Sequence, residues 1–418
     1  MAGEQKRIVI IGAGFAGMWS ALSARRAIVY NATERASNID VVVIAPSDDL
    51  VVRPRLYEDG PENMKSSLTE LFAATGVRFI KGTVDEINTE SHEVSVLDPQ
   101  GTRSSVTYDR LVVAAGSRLV RPKIDGLDEH AFSIDSIDEA VKLDNHLKSV
   151  ANLPPSPARD TAVVCGGGFT GIEIAAELPA RLRAILGPDT NVRVVVVDRN
   201  EHIGPELGPG PRPAITEAFK SLGVEMKLGS AVTAVDAEGV TLASGERIET
   251  FTAVWTGGVA ANALTQQIAG EKDTFGRLHT DRTLRVPSEP HVYATGDTAH
   301  AATDDDGNCA MMSCQHANIL GRSSGYNAAA DLLGVPQVPY EQADYGTCLD
   351  LGPWGAVVTK GWEREVQLTG AEAKKVKKWV NGVLIYPPKA DAEEALAAAD
   401  PVYKIPDLAD GPATGAGF

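Results

Sequence analysis

Short apolar runs separated by amphipathic stretches make up most of this chain. Such runs are typical of buried parallel strands, and the stretches between them have helical spacing. The pattern predicts buried strands at residues 8–11, 39–45, 76–80, 111–116, 162–165, 192–198, 251–258 and 291–297. It also predicts antiparallel hairpins at 93–96 with 104–108 and at 347–359, and helices near 65–75, 311–333 and 369–386. Strands that alternate with helices indicate an α/β fold.

A glycine-rich loop follows the first apolar run. Gly12, Gly14 and Gly17 have the spacing G-x-G-x-x-G between the strand and a helical stretch. In a dinucleotide fold the first glycine permits a tight turn, the second lets the backbone approach a pyrophosphate, and the third lets helix pack on strand. The N-terminus of the helix then faces the negative charge of the phosphates.

The same loop occurs a second time, about 150 residues further along the chain. Gly166, Gly168 and Gly171 follow the run at 162–165 with the same spacing. Two such loops predict two nucleotide-binding folds, which an enzyme needs when a nicotinamide nucleotide reduces its flavin. A chain of 418 residues suits two or three domains.

An acid at the end of the second strand of a dinucleotide fold usually binds the adenosine ribose. The first fold has no acid at that position, so either Asp48 or Asp49 reaches the ribose or both are plain loop carboxylates. The second fold has Asp198, which would accept hydrogen bonds from a ribose 2′-hydroxyl and repel a 2′-phosphate, favouring NADH. The neighbouring Arg199 leaves NADPH open, because a guanidinium could pair with that phosphate.

Charge and composition exclude several other functions. The net charge of −17 argues against nucleic acid as a partner, because phosphates need a basic surface. Without a long apolar run or room for a signal peptide before the first strand, we expect a cytoplasmic protein. The four cysteines do not suggest a disulfide framework, and no metal site is expected. Cys309 and Cys314 have a spacing that allows a redox pair, although packing is the simpler interpretation.

With these motifs in place, the chain resembles the pyridine nucleotide-disulfide oxidoreductase superfamily, and within it the type II NADH dehydrogenases (NADH:quinone oxidoreductases). The matching motifs are GAGFAG (12–17), PRLYE (54–58), GGGFTGIEIAAEL (166–178), AVWTGGVAAN (253–262), ATGD (294–297) and SCQHA (313–317). The resemblance implies two Rossmann-like domains, for FAD and NAD(P)H, in a glutathione-reductase-like arrangement with a small C-terminal α+β domain. The limits we expect are 1–150 and 275–338 for the FAD domain, 155–274 for the NAD(P)H domain, 339–405 for the C-terminal domain and 406–418 for a disordered tail.

The resemblance also implies which residues hold the cofactors. FAD would lie against the first glycine loop, with Asp297 on its ribityl or phosphate oxygens. NADH would lie against the second loop, with Asp198 on its adenosine ribose. The cofactor-binding residues that we expect are Gly12, Gly14, Gly17, Arg53, Pro54, Ala115, Gly116, Gly166, Gly168, Gly171, Asp198, Gly258, Gly296 and Asp297.

Three residues are candidates for the reaction itself. Glu173 matches an acid that lies near the nicotinamide and the flavin in this family, although a first-turn carboxylate also stabilises a helix without further function. Gln315 matches the first glutamine of the quinone-site motif A-Q-x-A-x-Q, but Cys314 and Ile319 replace its alanine and its second glutamine. His316 either donates a proton or hydrogen bond near the flavin or is structural.

The stretch 369–386 allows two interpretations. On a helix, one face of this stretch would be an apolar stripe of Val376, Trp379, Val380, Val383 and Leu384. Lysines would occupy the other faces. Such a helix could make weak peripheral contact with a membrane surface through residues 371–386, or cover the core of a third domain. Whether the protein also forms a homodimer stays open.

The sequence therefore predicts an FAD-dependent oxidoreductase that takes a hydride from NADH and passes electrons to a quinone-like acceptor. Orientation of two rings in contact supplies most of the catalysis in such a step. Two alternatives stay open. One is a flavin-dependent tailoring oxidase or reductase acting on a small organic substrate. The other is an FAD- and NADH-binding redox sensor similar to apoptosis-inducing-factor relatives.

Overall fold

The computed structural model describes residues 5–31 and 38–411. In the first part of the chain the strands are β1 (Lys6–Ile11), β2 (Ile39–Ala45), β3 (Asp49–Val51), β4 (Lys65–Ser67), β5 (Arg78–Lys81), β6 (Thr83–Asn88), β7 (Glu93–Leu97), β8 (Arg103–Thr107), β9 (Arg110–Val113), β10 (Ser117–Leu119) and β11 (Ala131–Phe132). The helices between them are α1 (Phe15–Tyr30), α2 (Thr69–Thr75), α3 (Leu127–His130) and α4 (Ile137–Ser149).

The middle of the chain repeats the alternation of strand and helix. Its helices are α5 (Pro157–Asp160), α6 (Phe169–Leu186) and α7 (Arg212–Leu222). Its strands are β12 (Thr161–Cys165), β13 (Arg193–Val197), β14 (Val224–Lys227), β15 (Val232–Asp236), β16 (Gly239–Leu242), β17 (Arg247–Glu249), β18 (Thr252–Trp255) and β19 (Val259–Ala261).

The last part contains both short and long elements. Its strands are β20 (Leu278–His279), β21 (Arg285–Val286), β22 (Glu289–Ala294), β23 (Ala299–His300), β24 (Gly346–Asp350), β25 (Ala356–Lys360) and β26 (Glu365–Thr369). Its helices are α8 (Cys314–Leu333), α9 (Gly370–Trp379) and α10 (Ala392–Ala398).

The first large sheet has the strand order β21-β22-β9-β1-β2-β5, and all of its pairs except β21 with β22 are parallel. The chain therefore returns to this sheet after building the second one. Helices α1 and α8 pack against each other on one face of the sheet. Their close contact requires Gly321 and Gly325, because a Cβ at these positions would lie 2.4 Å from the Ala16 carbonyl oxygen and 2.0 Å from that of Ser20.

The second large sheet has the order β11-β18-β12-β13-β14 and is parallel throughout. One apolar cluster joins this sheet to α6 and α7. Both large sheets thus have the buried, Val- and Ile-rich strands of a doubly wound α/β fold, as the apolar runs predict.

The third unit is an antiparallel sheet, β24-β25-β26, covered by α9. The stripe predicted at 369–386 packs on this sheet, except for Val383, which is 45% exposed. This packing agrees with the core interpretation of the stripe. The α-helix ends at Trp379 and continues as a single π-helical turn over Val380–Leu384, so the predicted helix is too long.

Two further expectations are wrong in part. The helix expected over 65–75 begins at Thr69, because residues 65–67 form β4 and pair with β3. The disordered tail expected over 406–418 is ordered as far as Gly411, since Leu408 is buried against the third sheet. Residues 412–418 lie outside the described residues. Within the described part of the chain, no helix is both long and apolar enough to cross a membrane.

Candidate functional site

The first glycine loop has the geometry that a pyrophosphate requires. Gly12 has a φ of +107°, and a Cβ there would lie 2.3 Å from the Ala114 carbonyl oxygen. A Cβ on Gly17 would lie 2.0 Å from the carbonyl oxygen of Gly12, so that only glycine lets the helix pack on the strand. Gly14, in contrast, has no atom within 4 Å of a built Cβ. Its open face at the N-terminus of α1 fits an approaching phosphate group.

The second glycine loop repeats this geometry. Gly166 has a φ of +127°, and a Cβ on Gly171 would lie 1.9 Å from the Gly166 carbonyl oxygen. The backbone amide of Gly167 donates to Asp198 Oδ2 over 2.6 Å, and that of Phe169 donates to Glu206. The loop therefore fits a dinucleotide, but two carboxylates of the chain itself accept from its backbone amides.

The carboxyl edges of the two large sheets meet. The chain leaves β9 through Ala115 and Gly116 into β10, and leaves β18 through Gly258 into β19. β10 and β19 pair as antiparallel strands, from Ser117 with Ala261 to Leu119 with Val259. Ligands of open α/β sheets bind outside the carboxyl ends of the strands. The ladder thus brings the two ligand-binding edges side by side.

A polar network lies at this junction on the side of the first sheet. Asp297 accepts a hydrogen bond of 2.6 Å from Ser117 Oγ, and its carboxylate lies 3.9 Å from Arg53 Nη1. Arg53 also forms an ion pair with Asp135, and Pro54 follows it in a single 3₁₀ turn. Gly296 packs against the start of α1, since a Cβ there would lie 2.8 Å from Ala16 Cβ. The predicted residues Arg53, Gly296 and Asp297 are therefore brought together at the end of the first sheet.

Glu173 lies in a buried ion pair that the sequence did not indicate. Its Oε1 is 2.8 Å from Lys377 Nζ, and both side chains are 5% exposed. Burial raises the pKa of Glu173 to about 7, although Lys377 opposes this shift. Burial would lower the pKa of Lys377, but the Glu173 carboxylate outweighs it and holds that pKa above its usual value. The pair connects the second fold to the C-terminal unit.

The first strand of the C-terminal unit, β24, links three predicted segments. At its end, the Asp350 amide donates to Glu173 over 3.0 Å, and Tyr57 of the PRLYE motif donates to the Asp350 carboxylate over 3.1 Å. At its beginning, the Gly346 amide donates to Gln315 Oε1 over 3.3 Å. Burial raises the pKa of Tyr57 well above its usual value, which keeps this phenol a donor.

Gln315 and His316 begin α8 but point to different surroundings. Gln315 borders a cavity of about 90 Å³ together with Tyr345 and residues 405–408. His316 is fully buried, with its Nδ1 3.0 Å from Ser313 Oγ and its ring against Tyr345 and Trp362. Burial, followed by the charge of Arg364, lowers the pKa of His316 to about 3. These surroundings favour the structural interpretation of His316.

The remaining candidates have local partners. Asp48 accepts a hydrogen bond from Thr69, and Asp49 forms an ion pair of 2.9 Å with Lys65, so both loop carboxylates have a structural use. All four cysteines are free thiols, and burial raises the pKa of Cys314 to about 11. Within the described ranges no group of three or more His, Cys, Asp or Glu side chains could hold a metal ion.

Sequence reasoning missed Asp350, Lys377 and Glu206. Lys377 follows Val376 on a helix with four lysines, and its position relative to the apolar stripe placed it on the outer face. The structure turns it inward, where its only acidic neighbour at ion-pair distance among the described residues is Glu173. Asp350 and Glu206 are preceded by no motif. The chain has 56 acidic residues, and no signal in the sequence distinguishes these two from the other 54.

Two joined Rossmann-like folds place the chain in the class of two-domain α/β proteins with a dinucleotide-type fold in each domain, and comparison with known proteins identifies the family. A model of the pyridine nucleotide-disulphide oxidoreductase family matches residues 6–319. An NADH dehydrogenase-like protein of Mycobacterium tuberculosis is 41% identical over 94% of this chain and 98% of its own length. A demethylphylloquinone reductase of Synechocystis is 28% identical over 86% of this chain and 88% of its own length.

A solved structure has a similar fold. The NDH2 protein of Plasmodium falciparum, in complex with NADH, has a TM-score of 0.75 at 15% identity, over 95% of this chain and 98% of that one. At this identity the likeness shows the fold alone. The chain belongs to the pyridine nucleotide-disulphide oxidoreductase family and is an oxidoreductase. The family and the α/β fold that the motifs indicated are thus confirmed, and membership implies a flavin and a pyridine nucleotide as ligands.

Proposed function

We propose that this oxidoreductase holds FAD in its first fold and NADH in its second, and passes electrons from NADH to a quinone-like acceptor. The observation that carries the proposal is the β10–β19 ladder, which joins the carboxyl edges of the two large sheets. Ligands bound at these edges would lie next to each other. When bound there, FAD would accept a hydride from NADH at its N5 atom and pass the electrons on.

The residues of the two loops would position the ligands. Gly12, Gly14 and Gly17 would hold the FAD pyrophosphate, and Asp297 would bind its ribityl or phosphate oxygens. Gly166, Gly168 and Gly171 would hold the NADH pyrophosphate. Asp198 already accepts from Gly167 and Asn200, and its remaining lone pairs could accept from a ribose hydroxyl. Six further residues would line the space around the two ligands: Arg53, Pro54, Ala115, Gly116, Gly258 and Gly296.

The Glu173–Lys377 pair would supply charge and protons beside the reacting rings. Reduction of a quinone consumes protons, so that a group with a pKa near the working pH is of use. Burial raises the pKa of Glu173 to about 7, so that its carboxyl group can release or accept a proton near neutrality. Lys377 would remain a fixed cation that keeps part of the Glu173 population ionised.

The acceptor is supported by relatives. A type II NADH:quinone oxidoreductase of Mycobacterium tuberculosis is 28% identical over 86% of this chain, and the Synechocystis relative is named for a quinone. Cys314 and Ile319 depart from the quinone-site motif, which makes the acceptor the part of the proposal that most needs a test. The domain limits, peripheral membrane contact through 371–386 and a homodimer also stay predictions.

Anaerobic reduction followed by a panel of acceptors tests the proposal. The purified protein should be yellow, release FAD on denaturation, and lose its flavin absorbance rapidly when mixed with NADH. Menaquinone or ubiquinone analogues should then restore the absorbance faster than oxygen does. Slow reoxidation by every acceptor would instead indicate a sensor, and restoration only by another small organic compound would indicate a tailoring enzyme. A protein that binds no flavin when supplied with FAD would contradict the proposal.

A further inference from the structure

The two glycine loops differ in one respect that their sequences do not show. In the first loop, the face of Gly14 is open, with no protein atom within 4 Å of a built Cβ. In the second loop, a Cβ on Gly168 would lie 2.9 Å from Glu206 Oε1. The same Glu206 carboxylate accepts a hydrogen bond from the amide of Phe169, the first residue of α6. A carboxylate of the chain therefore lies where the second loop would bind a pyrophosphate.

We propose that Glu206 is a built-in competitor of the nucleotide, whose pyrophosphate has to displace this carboxylate from the N-terminus of α6. This inference rests on the proposed binding of NADH in the second fold. A carboxylate and a phosphate use the same features of a helix N-terminus, the unpaired amides and the positive end of the dipole. Both cannot accept from the Phe169 amide at once. Glu206 therefore weakens the binding of any ligand whose pyrophosphate enters this loop.

Displacement of Glu206 requires only a rotation of its side chain. Glu206 lies in the 3₁₀ turn Pro205–Leu207, and its side chain is exposed to solvent. The backbone of this segment is fixed, since Ile203 and Leu207 are 3% and 2% exposed and belong to the core cluster around α6. The Gly204 amide also donates to the Gly167 carbonyl over 2.8 Å. The carboxylate can thus swing into solvent while the loop keeps its shape.

Asp198, the other carboxylate at this loop, is held more firmly. Its Oδ2 accepts from the Gly167 amide over 2.6 Å, and its Oδ1 accepts from the Asn200 amide and side chain, each over 2.7 Å. Among the described residues, the Glu206 side chain accepts one hydrogen bond, from the Phe169 amide, and it is exposed to solvent. Asp198 is therefore suited to stay and bind a ribose hydroxyl, whereas Glu206 is suited to leave.

Binding of ADP-ribose and of adenosine to the flavin-containing protein tests the inference. ADP-ribose carries the pyrophosphate without redox chemistry, and adenosine lacks it. By isothermal titration calorimetry, Glu206→Gln should bind ADP-ribose about tenfold more tightly than the wild type, because a neutral amide holds the helix N-terminus less strongly than a carboxylate does. Adenosine should bind the two proteins equally. Glu201→Gln, which changes an exposed acid of the same connection, is the matched control and should bind like the wild type.

Thermal unfolding supplies a second readout. Without ligand, Glu206→Gln should melt at a lower temperature than the wild type, because the carboxylate stabilises the helix N-terminus. Saturating ADP-ribose should abolish this difference. Equal or weaker binding of ADP-ribose by Glu206→Gln would overturn the inference, the weaker case showing that Glu206 binds a ligand hydroxyl instead. If all three proteins keep their flavin but fail to bind ADP-ribose, NADH binding in the second fold is wrong as well.

Discussion

Removal of the Lys377 ammonium should destabilise the protein in a way that depends on pH. Lys377→Met would leave the Glu173 side chain, which is 5% exposed, without the cation that lies 2.8 Å from it in the wild type. Breaking a buried ion pair from one side costs about 3–5 kcal/mol, because an uncompensated charge remains. We therefore expect a loss of about 3 kcal/mol in the free energy of unfolding near pH 8.

The sign of the pH dependence follows from the carboxyl group. Burial raises the folded-state pKa of Glu173 from 4.5 to about 7, so that between these values the folded state binds more protons than the unfolded state. Stability from this group therefore falls as the pH rises through that window. Without Lys377, which lowers this pKa, the window should extend to higher pH. The defect of Lys377→Met should accordingly be smaller at pH 6, where Glu173 is mostly protonated, than at pH 8.

Urea unfolding followed by tryptophan fluorescence measures this effect at both pH values. Lys375→Met is the matched control, because the Lys375 side chain is 71% exposed on the same helix, and it should change stability by less than about 0.5 kcal/mol. The double variant Glu173→Gln/Lys377→Met should recover most of the loss, since no buried charge is left unpaired. An equal defect at pH 6 and pH 8, or no recovery in the double variant, would refute the reasoning.

Four further changes test other parts of the structure. Gly14→Ala should fold normally, because no atom lies within 4 Å of the new methyl, but should purify with less flavin; undiminished flavin content would contradict the proposed pyrophosphate site. Asp198→Asn keeps an acceptor for the Gly167 amide but removes the charge, so that kcat/KM for NADPH should rise relative to NADH; an unchanged ratio would show that Asp198 does not select the nucleotide. His316→Phe should leave the pH profile of activity between about pH 5 and 8 unaltered, because the pKa of His316 is lowered to about 3; a shifted profile would restore it as a proton donor. Leu408→Ala should lower the free energy of unfolding by about 2 kcal/mol or more, since Leu408 is 8% exposed; an unchanged urea midpoint would favour the disordered tail that the sequence predicts.

Local patterns in the sequence indicated much of the fold. The strands of both large sheets could be predicted because parallel strands buried on both faces have uninterrupted apolar runs, as at β1 and β12. The glycine loops could be recognised in the sequence because the requirement for glycine is steric and local. Collisions of 2.3 Å at Gly12 and 1.9 Å at Gly171 admit no other residue without rearrangement. Ends of elements were less accurate, as the helix expected over 369–386 shows.

From the sequence, only the cofactor-binding residues and Glu173 of the candidate site could be predicted, and not the partners of Glu173. Glu173 could be selected from its motif, but its partner Lys377 lies 204 residues further along the chain. Helical periodicity predicted that this lysine faces solvent. It is buried because α9 lies close enough to α6 for Lys377 to reach Glu173. Asp350 and Tyr57 meet 293 residues apart for the same reason. Ion pairs of this kind depend on how units pack, which no local pattern records.

By itself the amino-acid sequence predicted two nucleotide-binding folds, since these follow from the spacing of glycines and apolar residues within single elements. The resemblance to the family came from longer motifs such as GGGFTGIEIAAEL (166–178). Only the tertiary structure decided that β24 connects Gln315, Glu173 and Tyr57, and that Glu206 lies against the second loop. The physical reason is the range of the interactions. Steric limits on a turn act between neighbours in the chain, whereas burial of a charge and competition for a helix N-terminus act between surfaces that folding brings together.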